Sequence, residues 1–128
     1  MRLEMIKGLG IDLLDRRRID KAIQKYNDRF ASRILSKKEF LLYKESSNQV
    51  RYLSNCYCVK EAVSKALGTG IGKMLRFNDM SILRDEKGTP HVEFSQSAEK
   101  FLSNREIYSC HISLSDEEPY VTAVAILS

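Results

Sequence analysis

The hydrophobic and polar positions of the first 26 residues predict a strand followed by a helix. Residues 5–14 are mostly apolar and predict a strand, in which Gly8 and Gly10 would let another backbone approach closely. Residues 16–26 carry apolar side chains three and four positions apart, the spacing of a helix that buries one face: Ile19, Ala22, Ile23 and Tyr26.

Two further helices are predicted in the middle of the chain. Ser36-Lys37-Lys38-Glu39 is a capping-box pattern that opens a helix ending near Lys44. Residues 50–67 predict a longer helix, for which Gly68 is a suitable C-terminal stop. Residues 69–72 then predict a flexible loop.

The second half of the chain has the pattern of β-hairpins. Residues 77–83 and 91–94 flank the turn signal at 85–88, and residues 95–104 predict a short helix between the hairpins. Residues 107–115 and 120–127 predict a second hairpin that turns through 116–119. Helices followed by mostly antiparallel strands predict an α+β fold, in one domain spanning 1–128.

Length and composition exclude several classes of protein. The 128 residues suit one domain, and 43% hydrophobic with 30% charged residues indicates a globular chain. No apolar run approaches the ~20 residues of a membrane span, and residues 1–8 lack the apolar core of a secretory signal. We therefore expect a cytoplasmic protein without membrane attachment.

The three cysteines predict thiols and no zinc site. An odd number of cysteines does not make a disulfide framework. Cys56 and Cys58 are two apart, so on a helix they would point roughly 200° apart and could not share one ion. We expect buried or half-buried thiols.

The positive charge is concentrated in one segment. Residues 16–38 contain nine cations and two carboxylates, a net +7, so the rest of the +4 chain sums to −3. Arg18, Lys21 and Lys25 would share one helix face. That face is either simply solvated or a dock for an acidic partner. Nucleic acid is disfavoured because the chain has no RNA-binding aromatic signature.

Two carboxylates and a lysine are candidates for chemistry. Asp12 lies near the end of the first strand, and Glu61 and Lys65 share a face of the long helix. Alone, Asp12 could cap the next helix, and Glu61 with Lys65 could be a surface pair worth ~0.2–0.5 kcal/mol. Together with the backbone N–H groups of Gly68-Thr69-Gly70, they would make a site for Mg²⁺ and a diphosphate.

The sequence also resembles a known family over nearly its whole length. The matching segments, in order, are Gly8-Leu9-Gly10-Ile11-Asp12, Arg29-Phe30-Ala31-Ser32-Arg33-Ile34-Leu35-Ser36, Lys60-Glu61-Ala62-Val63-Ser64-Lys65-Ala66-Leu67-Gly68-Thr69-Gly70-Ile71, Phe77-Asn78-Asp79, Asp85-Glu86-Lys87-Gly88-Thr89-Pro90 and His111-Ile112-Ser113-Leu114-Ser115-Asp116-Glu117. They resemble the holo-[acyl-carrier-protein] synthase group of the 4′-phosphopantetheinyl transferases.

This resemblance implies an activity and a fold. Such enzymes use Mg²⁺ to move the phosphopantetheine arm of coenzyme A onto a serine of apo-acyl carrier protein, and they release adenosine 3′,5′-bisphosphate. The reaction supports fatty acid biosynthesis. The family packs helices on a mostly antiparallel sheet and forms homotrimers with active sites between protomers.

The resemblance also implies a role for individual residues. Asp12 and Glu61 match the Mg²⁺ ligands, and Lys65 matches a residue near the diphosphate. Gly68, Thr69 and Gly70 match the loop beside the cofactor. The basic helix region that docks the acidic carrier protein is matched by Arg18, Lys25 and Arg29. His111 matches a histidine that is either a cofactor contact or a hydrogen-bonded structural residue.

Two positions depart from the family pattern. Cys56 stands where an arginine is common, and that arginine would contact a phosphate of coenzyme A. Arg51 or Lys73 could replace it. Asp116 stands where many members have a second histidine.

Two other readings remain open at this point. The chain could be a degenerate member that binds coenzyme A and turns over poorly. It could also be a basic binding module for RNA or an acidic protein, without catalysis. A binding module has no need of converging carboxylates at Asp12 and Glu61, and an RNA binder would lose affinity steeply with salt.

Overall fold

The computed structural model describes residues 5–128, which form five helices and two antiparallel sheets. The N-terminal half contains β1 and four helices: β1 (Gly8–Asp15), α1 (Arg16–Tyr26), α2 (Asp28–Ile34), α3 (Lys37–Glu45) and α4 (Gln49–Leu67). The C-terminal half follows a 3₁₀ turn at Phe77–Asp79 and contains β2 (Met80–Arg84), β3 (Pro90–Phe94), α5 (Gln96–Asn104), β4 (Cys110–Glu117) and β5 (Tyr120–Leu127). Residues 1–4, part of the segment in which we expect no secretory signal, lie outside the described residues.

The two sheets confirm the α+β class. The first has the strand order β1–β5–β4, and the second consists of β2 and β3. In the first sheet Asp12 lies opposite Ala123, which in turn lies opposite Leu114. No helix in the described part of the chain is long and apolar enough to cross a membrane.

Helix α4 packs against the sheet at the centre of the core. Leu53, Val59 and Val63 on this helix are fully buried, as are Ala123 and Ala125 of β5. The small alanines let the helix lie close to the sheet, in keeping with the dense packing of protein interiors.

The predicted close approach at the β1 glycines is confirmed, and α4 is the neighbour. A Cβ added to Gly8 would lie 1.9 Å from the Ala66 carbonyl oxygen. A Cβ added to Gly10 would lie 2.0 Å from that of Ala62. Any larger residue would push the strand from the helix, so the two glycines set the distance between β1 and α4.

Two elements differ from the sequence-based prediction. The sequence pattern did not predict α2, because its seven residues make only two helical turns. It starts after Asn27, whose φ of 53° ends α1. Residues 77–79 form a 3₁₀ turn and not the start of a strand, because the Asp79 carboxylate accepts a hydrogen bond from the Arg76 backbone N–H (2.9 Å).

A buried ion pair joins α3, α4 and β2. The Lys60 ammonium donates to Glu39 Oε1 at 2.5 Å and to the Ile34 carbonyl at 2.7 Å, and both charged side chains are fully buried. Glu39 also completes the predicted capping box by accepting from the Ser36 N–H, and its other oxygen accepts from the Ile82 N–H. Lys60, within the longest family-like segment, is therefore a structural residue.

Candidate functional site

Asp12 projects from the middle of β1 toward α4. Its Oδ1 accepts a hydrogen bond from Lys65 Nζ at 2.9 Å. The Asp12 backbone carbonyl accepts from the Thr122 hydroxyl at 2.8 Å, which ties this position to β5. Asp12 does not cap α1: that role belongs to Asp15, whose carboxylate accepts from the Arg17 backbone N–H. The alternative of a simple helix cap at Asp12 is therefore wrong.

Glu61 lies beside the same pair and is half-buried. Burial and the negative charge of Asp12 raise the pKa of Glu61, while Lys65 and Tyr57 act in the opposite direction. The hydrogen bond to Asp12 raises the pKa of Lys65, which keeps its ammonium charged at neutral pH. A second carboxylate beside Glu61 gives this place two hard oxygen ligands, which suits a divalent cation such as Mg²⁺.

Tyr57 supports Glu61 from one helical turn earlier on α4. Its side chain acts to lower the pKa of Glu61, and its ring stacks on Phe77 with centroids 5.5 Å apart. The positive charge of Arg18 acts to lower the pKa of Tyr57, against the larger effect of burial. Tyr57 was not predicted from the sequence, although its spacing of four from Glu61 is a signal for a shared helix face.

The glycine loop follows Lys65 directly, but its backbone differs from the expectation. The N–H of Gly68 donates to the carbonyls of Ser64 and Lys65, and the N–H of Gly70 donates to Ser64. Gly68 has a φ of 82° and closes the helix. The N–H groups of Gly68 and Gly70 are thus used in capping, and the expectation that they are available to a phosphate is corrected. Thr69 is exposed in the same loop.

His111 is not brought to this site within one chain. It is exposed on β4 and lies opposite Ile126, which lies opposite Leu9. Side chains alternate along strands, so His111 belongs to the outer sheet face and Asp12 to the face that contacts α4. The outer face also carries three exposed aliphatic side chains, Leu9 (65% exposed), Ile11 (65%) and Leu13 (68%).

The positive segment separates into structural and free cations. Arg16 is buried and binds Asn55, Asp116 and Glu118, while Arg17 pairs with Asp15 and Lys38 with Glu93. The other six are exposed and make no salt bridge with the described residues: Arg18, Lys21, Lys25, Arg29, Arg33 and Lys37. All three predicted docking residues are in this group.

The cysteines are free thiols with the predicted degree of burial. Cys56 and Cys58 are buried, and Cys110 is half-buried. Burial raises the pKa of Cys56 well above its usual range, and Cys56 lies beside Glu39 and Tyr52 in the core. Arg51 projects toward Asp116 (3.2 Å) and lines a small hollow with Asn55 and Arg84. Position 56 therefore faces the interior, and Arg51 is the nearby exposed cation.

A cavity of about 1,020 Å³ lies elsewhere. It is bounded by β3, α5 and the start of β4. Asp12, Glu61 and Lys65 do not line it. We assign the candidate site to the surroundings of Asp12, because two carboxylates and a lysine converge there.

Comparisons with known proteins agree with this geometry. Residues 8–125 match the family described as the 4′-phosphopantetheinyl transferase superfamily. The holo-[acyl-carrier-protein] synthase of Thiobacillus denitrificans is 38% identical over 96% of this chain and 94% of its own length. That of Aliivibrio fischeri is 40% identical over 94% of this chain and 96% of its own length.

Solved structures show the same fold. The crystal structure of the Neisseria meningitidis holo-[acyl-carrier-protein] synthase has a TM-score of 0.94 at 34% identity, and covers 97% of this chain and 99% of that one. The Helicobacter pylori enzyme in complex with coenzyme A has a TM-score of 0.82 at 32% identity, covering 94% and 99%. With the match over residues 8–125, these likenesses show that the chain belongs to the 4′-phosphopantetheinyl transferase superfamily, within its group of holo-[acyl-carrier-protein] synthases.

Proposed function

We propose that this protein transfers 4′-phosphopantetheine from coenzyme A to a serine of apo-acyl carrier protein in an Mg²⁺-dependent reaction that supports fatty acid biosynthesis. The observation that carries the proposal is the meeting of Asp12, Glu61 and Lys65 where β1 crosses α4. The helicobacter relative was solved with coenzyme A, which supports the same substrate here.

Asp12 and Glu61 are the residues that would hold Mg²⁺. This ion commonly binds one or two carboxylates and completes its coordination with water and substrate phosphates. The pair fits that pattern, because the two carboxylates lie close enough for the charge of Asp12 to raise the pKa of Glu61. When bound, Mg²⁺ would neutralise the diphosphate and orient the attacked phosphorus.

Lys65 and the following loop would position the diphosphate of coenzyme A. The Lys65 side chain is half exposed and charged, so it can leave Asp12 for a phosphate oxygen and stabilise the charge that builds there. Gly68, Thr69 and Gly70 border the same end of α4. The serine oxygen forms a bond to the pantetheine-bearing phosphorus and loses its proton, and the bond to adenosine 3′,5′-bisphosphate breaks.

Arg18, Lys25 and Arg29 form the proposed docking surface for the carrier protein. All three are exposed and free of salt bridges to the described residues. An acidic partner would be steered to them by the field of the whole segment. The influence of Arg18 on Tyr57 supports docking close to the carboxylates.

We further propose a homotrimer with active sites between protomers. The exposed Leu9, Ile11 and Leu13 form an apolar sheet face that a second protomer could cover. His111 lies on that face, so it would reach the coenzyme A bound to a neighbouring protomer. The three free thiols are in keeping with a cytoplasmic location.

Intact-mass spectrometry of apo-acyl carrier protein tests the proposed reaction. Incubation with this protein, coenzyme A and Mg²⁺ should add the mass of phosphopantetheine, and EDTA should abolish the gain. If no mass is gained, calorimetric titration with coenzyme A separates the alternatives. Binding without transfer would indicate a degenerate member, and no binding would favour a non-catalytic binding module.

A further inference from the structure

We propose that a hollow between α2 and α3 binds an apolar side chain of the carrier protein, next to the basic docking surface. The hollow has a volume of about 780 Å³ and is lined by Ser32, Leu35, Lys37, Phe40, Leu41 and Asn78, among others. Three of these side chains are apolar, and Leu41 is 68% exposed. The inference rests on the proposed function and extends its docking surface beyond Arg18, Lys25 and Arg29.

The hollow is continuous with the free cations. Arg29, Ser32 and Arg33 are exposed on α2 at helical spacing, and Ser32 lines the hollow. The exposed Asp28 of the same helix is paired with Lys44. Lys37 stands at its other wall and makes no salt bridge with the described residues. Its neighbour Lys38 is held by Glu93 at 2.6 Å and is not available. An acidic surface that pairs with Arg29, Arg33 and Lys37 would therefore lie over the apolar walls.

The hollow adjoins the turn that packs against α4. Asn78 in its wall follows Phe77, whose ring stacks on Tyr57. Tyr57 lies four residues before Glu61 on α4. A partner seated in the hollow would therefore contact the turn that packs against the helix carrying Glu61.

The chemistry of the walls favours a protein side chain over coenzyme A. The diphosphate and bisphosphate groups of coenzyme A require several cations, whereas Lys37 is the single charged residue among those lining the hollow. Long-range charge attraction mainly accelerates encounter, and buried apolar contacts slow dissociation. Cations with an adjacent apolar slot would supply both to an acidic helix that carries one aliphatic side chain.

A matched pair of leucine variants tests this inference. Leu41 and Leu42 are neighbours on α3 and are both exposed, but only Leu41 lines the hollow. In steady-state transfer assays, Leu41→Ser should raise the KM for apo-acyl carrier protein about five- to twenty-fold, the value of one lost aliphatic contact. The kcat and the KM for coenzyme A should not change, and Leu42→Ser should resemble the wild type.

The possible results distinguish the two proposals. Unchanged carrier KM in Leu41→Ser, with an active wild type, would overturn the hollow and leave the transferase function intact. A raised KM for coenzyme A instead would assign the hollow to the cofactor and also overturn the inference. An equal effect of Leu42→Ser would show that the hollow has no specific role in carrier binding, and it would likewise overturn the inference. A wild type that transfers nothing would refute the proposed function, and with it this inference.

Discussion

Single side chains decide whether this fold has a reactive site. Asp12 and Glu61 each have an ordinary explanation when considered alone, as a helix cap and as half of a surface pair. The structure removes the first explanation because Asp15 caps α1. The explanation of Glu61 and Lys65 as a surface pair is also weakened, because Lys65 on α4 donates its hydrogen bond to Asp12 on β1. What remains is a pair of carboxylates with a lysine between the strand and the helix.

We expect Asp12→Asn and Glu61→Gln to lower the transfer rate by about 100-fold or more, since each removes a charged ligand worth several kcal/mol in the transition state. The free energy of unfolding should change by no more than ~1 kcal/mol. For Glu61 the reason is its raised pKa, which shows that the ionised form is disfavoured in the folded protein.

The measurements are initial rates by intact-mass spectrometry and urea unfolding on the same preparations. Glu45→Gln, at an exposed position on α3, is the matched control and should retain full activity. Full activity of either Asp12→Asn or Glu61→Gln would refute their assignment as metal ligands.

In contrast to Asp12 and Glu61, the buried pair of Lys60 and Glu39 should contribute strongly to the free energy of unfolding. Lys60→Met leaves the Glu39 carboxylate buried without its cation, which should cost about 3–5 kcal/mol of stability. The double variant Lys60→Met with Glu39→Gln should recover part of that loss, because no isolated charge remains. Urea unfolding of the two variants and of the exposed control Lys100→Met measures this. A loss in Lys60→Met no greater than in the control would contradict it.

Contacts between secondary-structure elements place the reactive side chains. Gly8 and Gly10 let β1 touch the α4 backbone, and this contact brings Asp12 within reach of Lys65. A second junction is made by Asp79, which accepts from the Arg76 N–H and from the Ser95 hydroxyl (2.8 Å). Asp79 thus links the 3₁₀ turn before β2 to the start of α5.

The Asp79 junction predicts a pH-dependent loss of stability. Burial by itself would raise the pKa of Asp79, but the hydrogen bonds from Arg76 and Ser95 outweigh it and lower the pKa below 3.8. The ionised form therefore contributes stability that is fully present above about pH 4 and lost as the pH falls through the folded-state pKa.

Asp79→Asn should accordingly be ~1–2 kcal/mol less stable than the wild type at pH 7, with a difference that shrinks as the pH falls below 4. Urea unfolding between pH 2.5 and pH 7, that is, from roughly one unit below the ordinary aspartate pKa upward, is the measurement. The exposed Glu86→Gln is the control. A difference that grows on acidification would be inconsistent with a lowered pKa.

The proposed trimer depends on one exposed face of the first sheet. Leu9, Ile11 and Leu13 form the exposed apolar face of the first sheet, which also holds His111. Ile11→Asp should place a charge in the proposed trimer interface, so the variant should sediment as a monomer and lose most transfer activity. Leu42→Asp changes an exposed aliphatic residue on α3 that does not line the hollow, and this variant should remain trimeric and active. A monomeric, fully active wild type would refute the interface.

Recognition of the carrier protein should depend on long-range charge. Lys25→Glu reverses one of the free cations at the end of α1 and should raise the KM for apo-acyl carrier protein roughly ten-fold at low salt. The difference in carrier KM between Lys25→Glu and the wild type should become smaller near 0.5 M salt, because the Debye length there is only about 4 Å. Lys100→Glu on α5 is the control. A carrier KM that is independent of both the charge reversal and salt would be evidence against docking on α1.

Local patterns in the sequence predicted most of the elements and the members of the site. The apolar spacing of α1, the capping box of α3 and the glycine after α4 depend on residues only a few positions apart. The local sequence is therefore sufficient to predict these helices and their ends. The family-like segments predicted Asp12, Glu61 and Lys65 as members of one site, and these three side chains lie together in the structure. The short helix α2 was missed, because seven residues carry too little periodicity to separate from a loop.

Other properties depend on contacts between residues far apart in the chain. Lys60 is buried and paired with Glu39, and Arg16 is buried and paired with Asp116 and Glu118. Local spacing in the sequence cannot distinguish these buried charges from solvated ones. The capping bonds of Gly68 and Gly70 and the outward position of His111 likewise follow from three-dimensional geometry. Composition and periodicity determine which segments can form, because they act locally. Partnering, burial and the side of the sheet on which a residue lies are decided only when distant segments pack together.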